Sequence, residues 1–384
     1  MSGPLTGVRV VELGGIGPGP HAAMILADLG ADVVRVLRPA ASNGGLDMAW
    51  EPRGCRKTEL DLKLADDRRQ LLDLVAVADV LVEGFRPGVA ERLGVGPDTC
   101  LALNPGLAYG RITGWGQDGP WARAVGHDIN YLSVSGILHA IGPADERPVP
   151  PLSLVGDFGG GSMLLVVGIL AALMERNRSG RGQVVDAAML DGAMLLGDLF
   201  LAQRSAGLWT DRRGDNVMDG GAPFYRTYTC ADGRFVAVGA IEPQFFAELV
   251  TVLGLELPDG FDHLDRANWP TLADRLAAAF RAQDRDHWEK AFAGRDACVT
   301  PVLSFDEMPA HPHIEARRLV EEHDGTLHAA PAPRFSRTAT QTRAGAREKT
   351  GSTGTVWLLR VLGEPPTPPL QADSQETRWD HTEE

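Results

Sequence analysis

The sequence has few cysteines, and none of them lie close together. Four cysteines occur among its 384 residues, and the positions Cys55, Cys100, Cys230 and Cys298 form no Cys-x-x-Cys pair. This scatter is typical of free thiols in a reducing compartment and argues against a disulfide framework or a zinc site. The first apolar stretch, residues 8–13, is short and has no basic lead. We therefore expect no signal peptide and a cytoplasmic location.

Positive charge and long apolar runs are also scarce. The chain has 37 Lys and Arg against 51 Asp and Glu, a formal net charge of −14. That balance disfavours nucleic acid or an anionic membrane as the main partner, although a local basic groove remains compatible with it. The longest apolar run, Met163 to Met174, is shorter than the roughly 20 residues that a spanning helix needs. It predicts a buried helix and no membrane partner.

Three common signatures of chemistry are absent. No Gly-x-Ser-x-Gly elbow occurs, and the close histidine pair His311 and His313 lacks further zinc ligands, so we predict no metal. The glycine loop at residues 15–20 fails the dinucleotide fingerprint, because Pro20 replaces its third glycine. Arg35 and Arg38 stand where a ribose-binding acid is expected, and they suit phosphate better. We therefore expect no nicotinamide cofactor.

Strand and helix patterns alternate over the first half of the chain. They predict strands at residues 8–13, 32–37, 80–82 and 107–112, and helices at residues 20–29, 66–78 and 163–174. This alternation predicts an α/β fold in which helices cover a parallel sheet.

The pattern changes after about residue 190. Residues 225–240 alternate around Asp232-Gly233, a strong hairpin signal, and helical patterns follow near 244–253, 269–282 and 285–292. We predict a large Rossmann-like domain at 1–190, rejoined by about 330–345, a linker at 191–221, and a smaller α+β domain at 222–325. The polar, proline-rich tail at 346–384 is predicted to be largely disordered.

Basic residues gather where predicted strands end. Arg38 follows the second predicted strand, Lys63 follows the segment Leu60-Asp61-Leu62, and Arg86 lies in the segment 83–88 after the strand at 80–82, with Arg92 shortly after. The carboxyl ends of parallel strands line the ligand crevice of an open sheet. Four converging cations there would favour a phosphorylated ligand, whereas a solvated rim is the alternative.

A histidine and an aspartate beside glycines are the strongest catalytic candidates. His127 follows Gly126, and Asp157 precedes the glycines 159–161 and a helix predicted to begin at Ser162. Amides at a helix N-terminus could stabilise an enolate oxygen or an acyl anhydride on Asp157. The two side chains, if face to face, could move a proton across a carbon, with Glu242 orienting the histidine. A capping aspartate and a satisfied histidine are the structural alternative.

At these residues the sequence resembles the class III CoA-transferase superfamily, most closely its α-methylacyl-CoA racemase branch. The matching stretches are residues 5–13, 27–34, 82–88, 114–117, 126–131, 156–161, 219–225 and 239–244. The resemblance covers roughly residues 3 to 340. The segment from Ala346 onward differs from the short acidic helix that usually ends this family.

The resemblance implies a Rossmann-like large domain that binds CoA, a small domain, and an interlocked homodimer with shared active sites. It also implies that no nicotinamide, flavin or metal takes part. CoA is part of the substrate and is not a separate cofactor. His127 and Asp157 look like the two catalytic bases, and Glu242 looks like the partner of His127. The positions that look like CoA contacts are Arg38, Leu60, Asp61, Leu62, Lys63, Gly84, Phe85, Arg86, Arg92, Gly126, Asp128, Ile129, Asn130 and Tyr131.

The leading functional hypothesis is epimerisation of a 2-methyl-branched acyl-CoA. It requires Asp157 to hold a proton near neutral pH, so its pKa should be raised by apolar surroundings. One alternative is a true CoA-transferase in which Asp157 attacks the donor thioester. A second alternative is a CoA-binding protein without catalysis.

Overall fold

The computed structural model describes residues 3–39, 50–323 and 325–340. Its contacts divide the chain into two compact units. The first contains the described residues of Met1–Thr113, Ser162–Ala187 and Pro331–Glu384, and the second contains Gly114–Gly161 and Ala188–Ala330. The predicted tail at 346–384 lies outside the described residues.

The two units divide the chain differently from the domain boundaries predicted from sequence. Residues 114–161, which the sequence pattern placed in the large domain, belong to the second unit, as do the predicted linker residues 191–221. The cause is packing between helices at Asp128–Ser135 and Met189–Leu196, which holds the earlier segment against the later one.

The first unit is built on a six-stranded sheet in the order β3-β2-β1-β4-β5-β6. Its strands are β1 Arg9–Leu13, β2 Asp32–Leu37, β3 Cys55–Glu59, β4 Val80–Glu83, β5 Ala108–Thr113 and β6 Gln183–Ala188. The pairs β1–β2, β1–β4, β2–β3 and β4–β5 are parallel. This is the order of a Rossmann-type sheet, with its switch point between β1 and β4. The predicted α/β class is confirmed.

Helices cover both faces of this sheet and continue through the second unit. In chain order they are α1 Pro18–Asp28, α2 Ala65–Val77, α3 Val89–Arg92, α4 Pro97–Leu103, α5 Asp128–Ser135, α6 Ile137–Ala140, α7 Leu164–Ser179, α8 Met189–Leu196, α9 Asp198–Ser205, α10 Pro243–Leu253, α11 Trp269–Phe280, α12 Arg285–Phe292 and α13 Pro312–Arg317. Val10 and Val33 face α1 and α7 in one apolar cluster. Val11 and Val34 face α2 and α4 in another. The alternation follows from the two-residue period of a strand, which turns successive side chains to opposite faces.

Each face of the sheet also carries a buried Arg–Glu pair near the carboxyl ends of the strands. Arg35 Nε lies 2.6 Å from Glu12 Oε2, and their side chains are 7% and 2% exposed. Arg111 Nε lies 2.8 Å from Glu83 Oε1, with exposures of 8% and 0%. The interpretation of Arg35 as a phosphate-binding residue is therefore wrong, because Glu12 neutralises it inside the sheet. Arg38 is exposed.

Helical backbone runs from Leu154 through Ser179, which is longer than the apolar run seen in the sequence. The 26 residues have a mean hydropathy of 1.8 in their most apolar window, enough by length and composition to cross a membrane. The expectation that this helix is too short to span is therefore wrong. Leu165, Val166 and Ile169 are buried in the first unit's core, and a core helix of a folded domain meets the same criteria.

The second unit contains the predicted hairpin. Strands β7 Tyr225–Thr229 and β8 Phe235–Gly239 pair antiparallel, and β9 Val299–Pro301 extends the sheet. Gly233 at the turn has φ 79°, a left-handed conformation that glycine adopts without strain. Strands β10 Val320–His323 and β11 Thr326–Ala329 form a separate pair. The helices predicted near 244–253, 269–282 and 285–292 are confirmed as α10, α11 and α12.

Candidate active site

His127 is the residue from which α5 starts. It is exposed, with extended backbone at φ −129° and ψ 175°. Its N–H donates to Asn130 Oδ1 over 3.0 Å, and its carbonyl accepts the N–H of Asn130 over 2.8 Å. These two bonds fix the histidine backbone at the helix start.

An aromatic cluster supports the peptide before His127. The Tyr131 hydroxyl donates to the carbonyl of Gly126 over 2.5 Å, and Tyr131 is 6% exposed. Its ring packs edge-on against Trp115, with centroids 4.9 Å apart. A Cβ on Gly126 would come within 2.8 Å of the Tyr131 ring. Glycine is therefore required here, because the aromatic ring occupies the space of a side chain.

Asp157 is joined to the start of α5 by its own backbone. Its N–H donates to Asp128 Oδ1 over 2.8 Å, and Asp128 is 3% exposed. A Cβ on Gly156 would lie 2.4 Å from the same oxygen, so only glycine admits this approach. The contact brings together the 126–131 and 156–161 motifs, which are about thirty residues apart in sequence.

The carboxyl group of Asp157 has an altered proton affinity. Burial, followed by the negative charge of Asp128, raises its pKa from 3.8 to about 6, and the nearby His127 partly opposes that rise. Half of these carboxyl groups are thus protonated at about pH 6. The direction is the one that the two-base hypothesis requires.

The helix that carries Asp157 starts earlier than the sequence indicated. Residues Leu154–Met163 form a π-helical segment that continues into α7, and Asp157 lies in its first turn. The predicted helix start at Ser162 is therefore wrong, and Ser162 is fully buried. Asp157 still lies near a helix N-terminus, where the dipole favours negative charge. π-helical turns are frequent at functional sites.

Two glycines permit this segment to pack closely on α8. A Cβ on Gly192 would lie 1.9 Å from the carbonyl oxygen of Gly160, and one on Gly160 would lie 2.7 Å from the amide nitrogen of Ala193. The run of glycines after Asp157 thus serves helix packing, and it does not form a loop.

We expect Gly192→Ala to destabilise the protein by about 1–3 kcal/mol, because the added methyl group has no room and the helices must separate. Activity should fall as well, since Asp157 lies one turn from the contact. Urea denaturation followed by circular dichroism would measure the stability. Gly15→Ala is the matched control, because open space surrounds Gly15. Equal stability of the two variants would contradict the packing role.

Glu242 lies at the start of α10. It is the exposed N-cap of α10. Among the residues with described positions, no hydrogen bond or ion pair links it to His127. Its charge acts instead on the Cys298 thiol, whose pKa is raised by burial first and then by Glu242. The pairing of Glu242 with His127 stays a prediction.

The remaining predicted CoA contacts lie at the carboxyl edge of the sheet in the first unit. Arg38 follows β2, residues 60–63 follow β3, and residues 84–86 follow β4. Arg38, Lys63, Arg86 and Arg92 are exposed. Within the described ranges, none of these four cations has an ion-pair partner. Leu60, by contrast, is 6% exposed and belongs to the core.

An apolar hollow beside α5 was missed from the sequence. Its lining consists of Trp115, Trp121, Ala124, Val125, Asn130, Ser133 and Val134. Trp121 is 52% and Val125 is 72% exposed. Asn130 connects it to His127, whose N–H it accepts. The tryptophan of the 114–117 motif was the available signal, but a lone tryptophan in a sequence does not show which neighbours complete a hollow.

Comparison with known proteins agrees with this fold. A model described as CoA-transferase family III matches residues 5–351. Alpha-methylacyl-CoA racemase of Mus musculus is 46% identical over 360 residues, covering 94% of this chain and 93% of the relative. The racemase of Homo sapiens is 44% identical over 330 residues, covering 86% of each. A solved CAIB/BAIF family protein from Brucella suis is 25% identical, covers 94% of this chain and 100% of its own, and has a TM-score of 0.78.

The chain belongs to CoA-transferase family III. The resemblance inferred from the motifs is thereby confirmed. The roles of His127, Asp157 and Glu242 stay predictions.

Proposed function

We propose that this protein interconverts the R and S epimers of 2-methyl-branched acyl-CoA thioesters. The supporting similarity is to the mouse and human proteins named alpha-methylacyl-CoA racemase, at 46% and 44% identity. The structural observation that carries the mechanism is a partly buried Asp157, with its pKa raised to about 6 and His127 close enough to influence it. An acid and a base beside one another are what a proton transfer between two faces needs.

In one direction, neutral His127 removes the α-proton and the electron pair of the C–H bond passes into an enolate. Protonated Asp157 then delivers its proton to the opposite face of the same carbon. In the reverse direction ionised Asp157 removes the α-proton and protonated His127 delivers one to the opposite face, which restores neutral His127 and protonated Asp157. The N-terminus of the helix beginning at Leu154 provides a positive dipole near the enolate.

The proposed substrate supplies the CoA, so the proposal includes no separate cofactor and no metal. Arg38, Lys63, Arg86 and Arg92 would bind its phosphates, because they are exposed cations without ion-pair partners among the described residues. The exposed Ile129 and the apolar hollow beside α5 offer surfaces for the acyl part. No nucleic acid and no membrane is part of the proposed function.

We further propose a homodimer in which Glu242 of one copy approaches His127 of the other. Glu242 is exposed and makes no described contact with His127 of its own chain. Large apolar side chains on α8 and α9 are exposed, including Leu195 at 62% and Leu199 at 52%. Such surface is typical of an interface.

Three of the four free cysteines are buried, which suits the proposed cytoplasmic location.

The proposed function is tested by isotope exchange. A single enantiomer of a 2-methylacyl-CoA in deuterated water should acquire deuterium at the α-carbon and yield both epimers, because the proton delivered by the second base comes from solvent. Mass spectrometry measures the deuterium, and chiral chromatography of the hydrolysed acid measures the epimers. Retention of configuration without deuterium uptake would contradict the proposal.

The same preparation decides between proton transfer and acyl transfer. A CoA-transferase would form an anhydride on Asp157 and pass CoA to a second acid. If the protein is a racemase, incubation of an acyl-CoA with a different free carboxylic acid should give no new CoA ester. A new ester would support the transferase alternative. Binding of CoA without exchange or transfer would support the non-catalytic alternative.

A further inference from the structure

We propose that Asp128 is a positioning residue for this reaction, whose carboxylate fastens Asp157 to the start of the helix that follows His127 and whose charge acts on the Asp157 carboxyl. The inference rests on the proposed function. It gives Asp128 a role other than the CoA contact that the resemblance implied.

The geometry leaves the Asp128 carboxylate little freedom. Asp128 is 3% exposed, and its Oδ1 accepts the N–H of Asp157 over 2.8 Å. Gly156 lies against the same oxygen, where a Cβ would come within 2.4 Å. The carboxylate therefore faces the Asp157 backbone and has almost no surface to offer a ligand.

Chain connectivity makes this contact relevant to both bases. Asp128 follows His127 directly, and it is the first residue of α5. Asp157 lies in the first turn of its own helix. One hydrogen bond thus links the starts of the two helices, and a change at Asp128 displaces the acid relative to the imidazole. A misplacement of about 1 Å can cost about 10²-fold in rate.

Electrostatics adds a second effect at the same contact. The charged groups that act on the Asp157 carboxyl in the described structure are Asp128, which raises its pKa, and His127, which lowers it; burial is the largest cause of the rise. A negative charge in the first turn of α5 also suits the helix dipole. Asp128 therefore opposes ionisation of Asp157 while holding it in place.

Asp128→Asn separates these two effects. The amide oxygen of asparagine can still accept the N–H of Asp157, but the negative charge is lost. The pKa of Asp157 should fall, so the part of the pH profile that reports Asp157 should move to lower pH by about half a unit to one unit. Epimerisation that needs protonated Asp157 should consequently slow by about three- to tenfold above the pKa. The profile of kcat/KM is measured separately from each enantiomer.

Two further variants complete the comparison. Asp128→Ala also removes the acceptor, so it should show the same shift together with a further loss of kcat. Asp191→Asn is the matched control, because Asp191 is an exposed aspartate in the first turn of α8. It should leave the profile unchanged. If Asp128→Asn fails to fold, Asp128→Ser provides a smaller acceptor without charge, for which the same shift is expected.

A carbon-13 NMR titration of the Asp157 carboxyl tests the inference without turnover. The signal is assigned by its loss in Asp157→Asn. An unshifted titration in Asp128→Asn, or a raised KM for the acyl-CoA with an unchanged pH profile, would overturn the inference even if the protein racemises its substrate. A shifted titration in a protein that catalyses no α-proton exchange would overturn the proposed function alone.

Discussion

Replacing His127 by alanine is expected to slow epimerisation by about 10²–10⁴-fold, because one of the two general bases is lost. Asp157 remains in this variant and can still exchange the α-proton that faces it. We therefore expect solvent deuterium to enter one enantiomer without inversion, and no exchange in the other enantiomer. The measurement is deuterium content and configuration from each pure enantiomer.

The stereochemical asymmetry separates loss of a base from general damage. His287→Ala is a suitable control, because His287 is an exposed histidine on α12. The His287→Ala variant should racemise the substrate at the rate of the unsubstituted protein. If His127→Ala still inverts both enantiomers rapidly, then His127 is not a base in this reaction.

Replacing Asp157 by asparagine is expected to slow epimerisation by a similar factor of about 10²–10⁴, and also to stabilise the fold at alkaline pH. The stability effect follows from the raised pKa. In the folded protein the carboxyl has a pKa of about 6, against 3.8 for an ordinary aspartate. Above pH 6 its charge therefore costs folding free energy, and below pH 3.8 that cost disappears because the group is neutral in both states.

The difference of about two pKa units corresponds to at most about 3 kcal/mol. Asp157 is only partly buried, so solvent screening reduces the expected gain to about 1 kcal/mol. Urea denaturation at pH 8, 6 and 4.5 should show Asp157→Asn above the parent in stability at pH 8, with the gap narrowing towards acid. The control is Asp198→Asn, at an exposed position in α9. If the difference in unfolding free energy between variant and parent is the same at every pH, or if the variant is less stable at pH 8, then the charge of Asp157 does not destabilise the fold as expected.

Local sequence patterns located the inner strands of the large sheet and the hairpin of the second unit. The β-branched segments 8–13 and 32–37 form β1 and β2. They could be predicted because both faces of these strands are covered, which gives a continuous apolar sequence. Strands β3 and β6 were missed. They lie at the two edges of the sheet, and their sequences Cys-Arg-Lys-Thr-Glu and Gln-Val-Val-Asp-Ala-Ala do not show the continuous apolar pattern of a buried strand.

At the candidate site, the sequence did not reveal contacts between residues that lie far apart in the chain. Glycine neighbours and the family resemblance were sufficient to select His127 and Asp157. They could not show that Gly160 serves contact with Gly192, because that approach depends on a helix over thirty residues away. Nor could they show that Arg35 pairs with Glu12, since the pairing depends on the register of β1 with β2.

The buried pair of Glu12 and Arg35 has a consequence for how this sequence can diverge. Removal of one member leaves an uncompensated charge among apolar side chains and costs about 3–5 kcal/mol, whereas joint replacement by apolar residues of similar volume is often neutral. Glu12 and Arg35 are therefore expected to change together. Arg111 differs, because it also pairs with Glu91 over 2.9 Å and keeps a carboxylate partner when Glu83 is lost. A lineage reaches an apolar version of the Glu12–Arg35 pair only through a less stable single substitution or by changing both codons together.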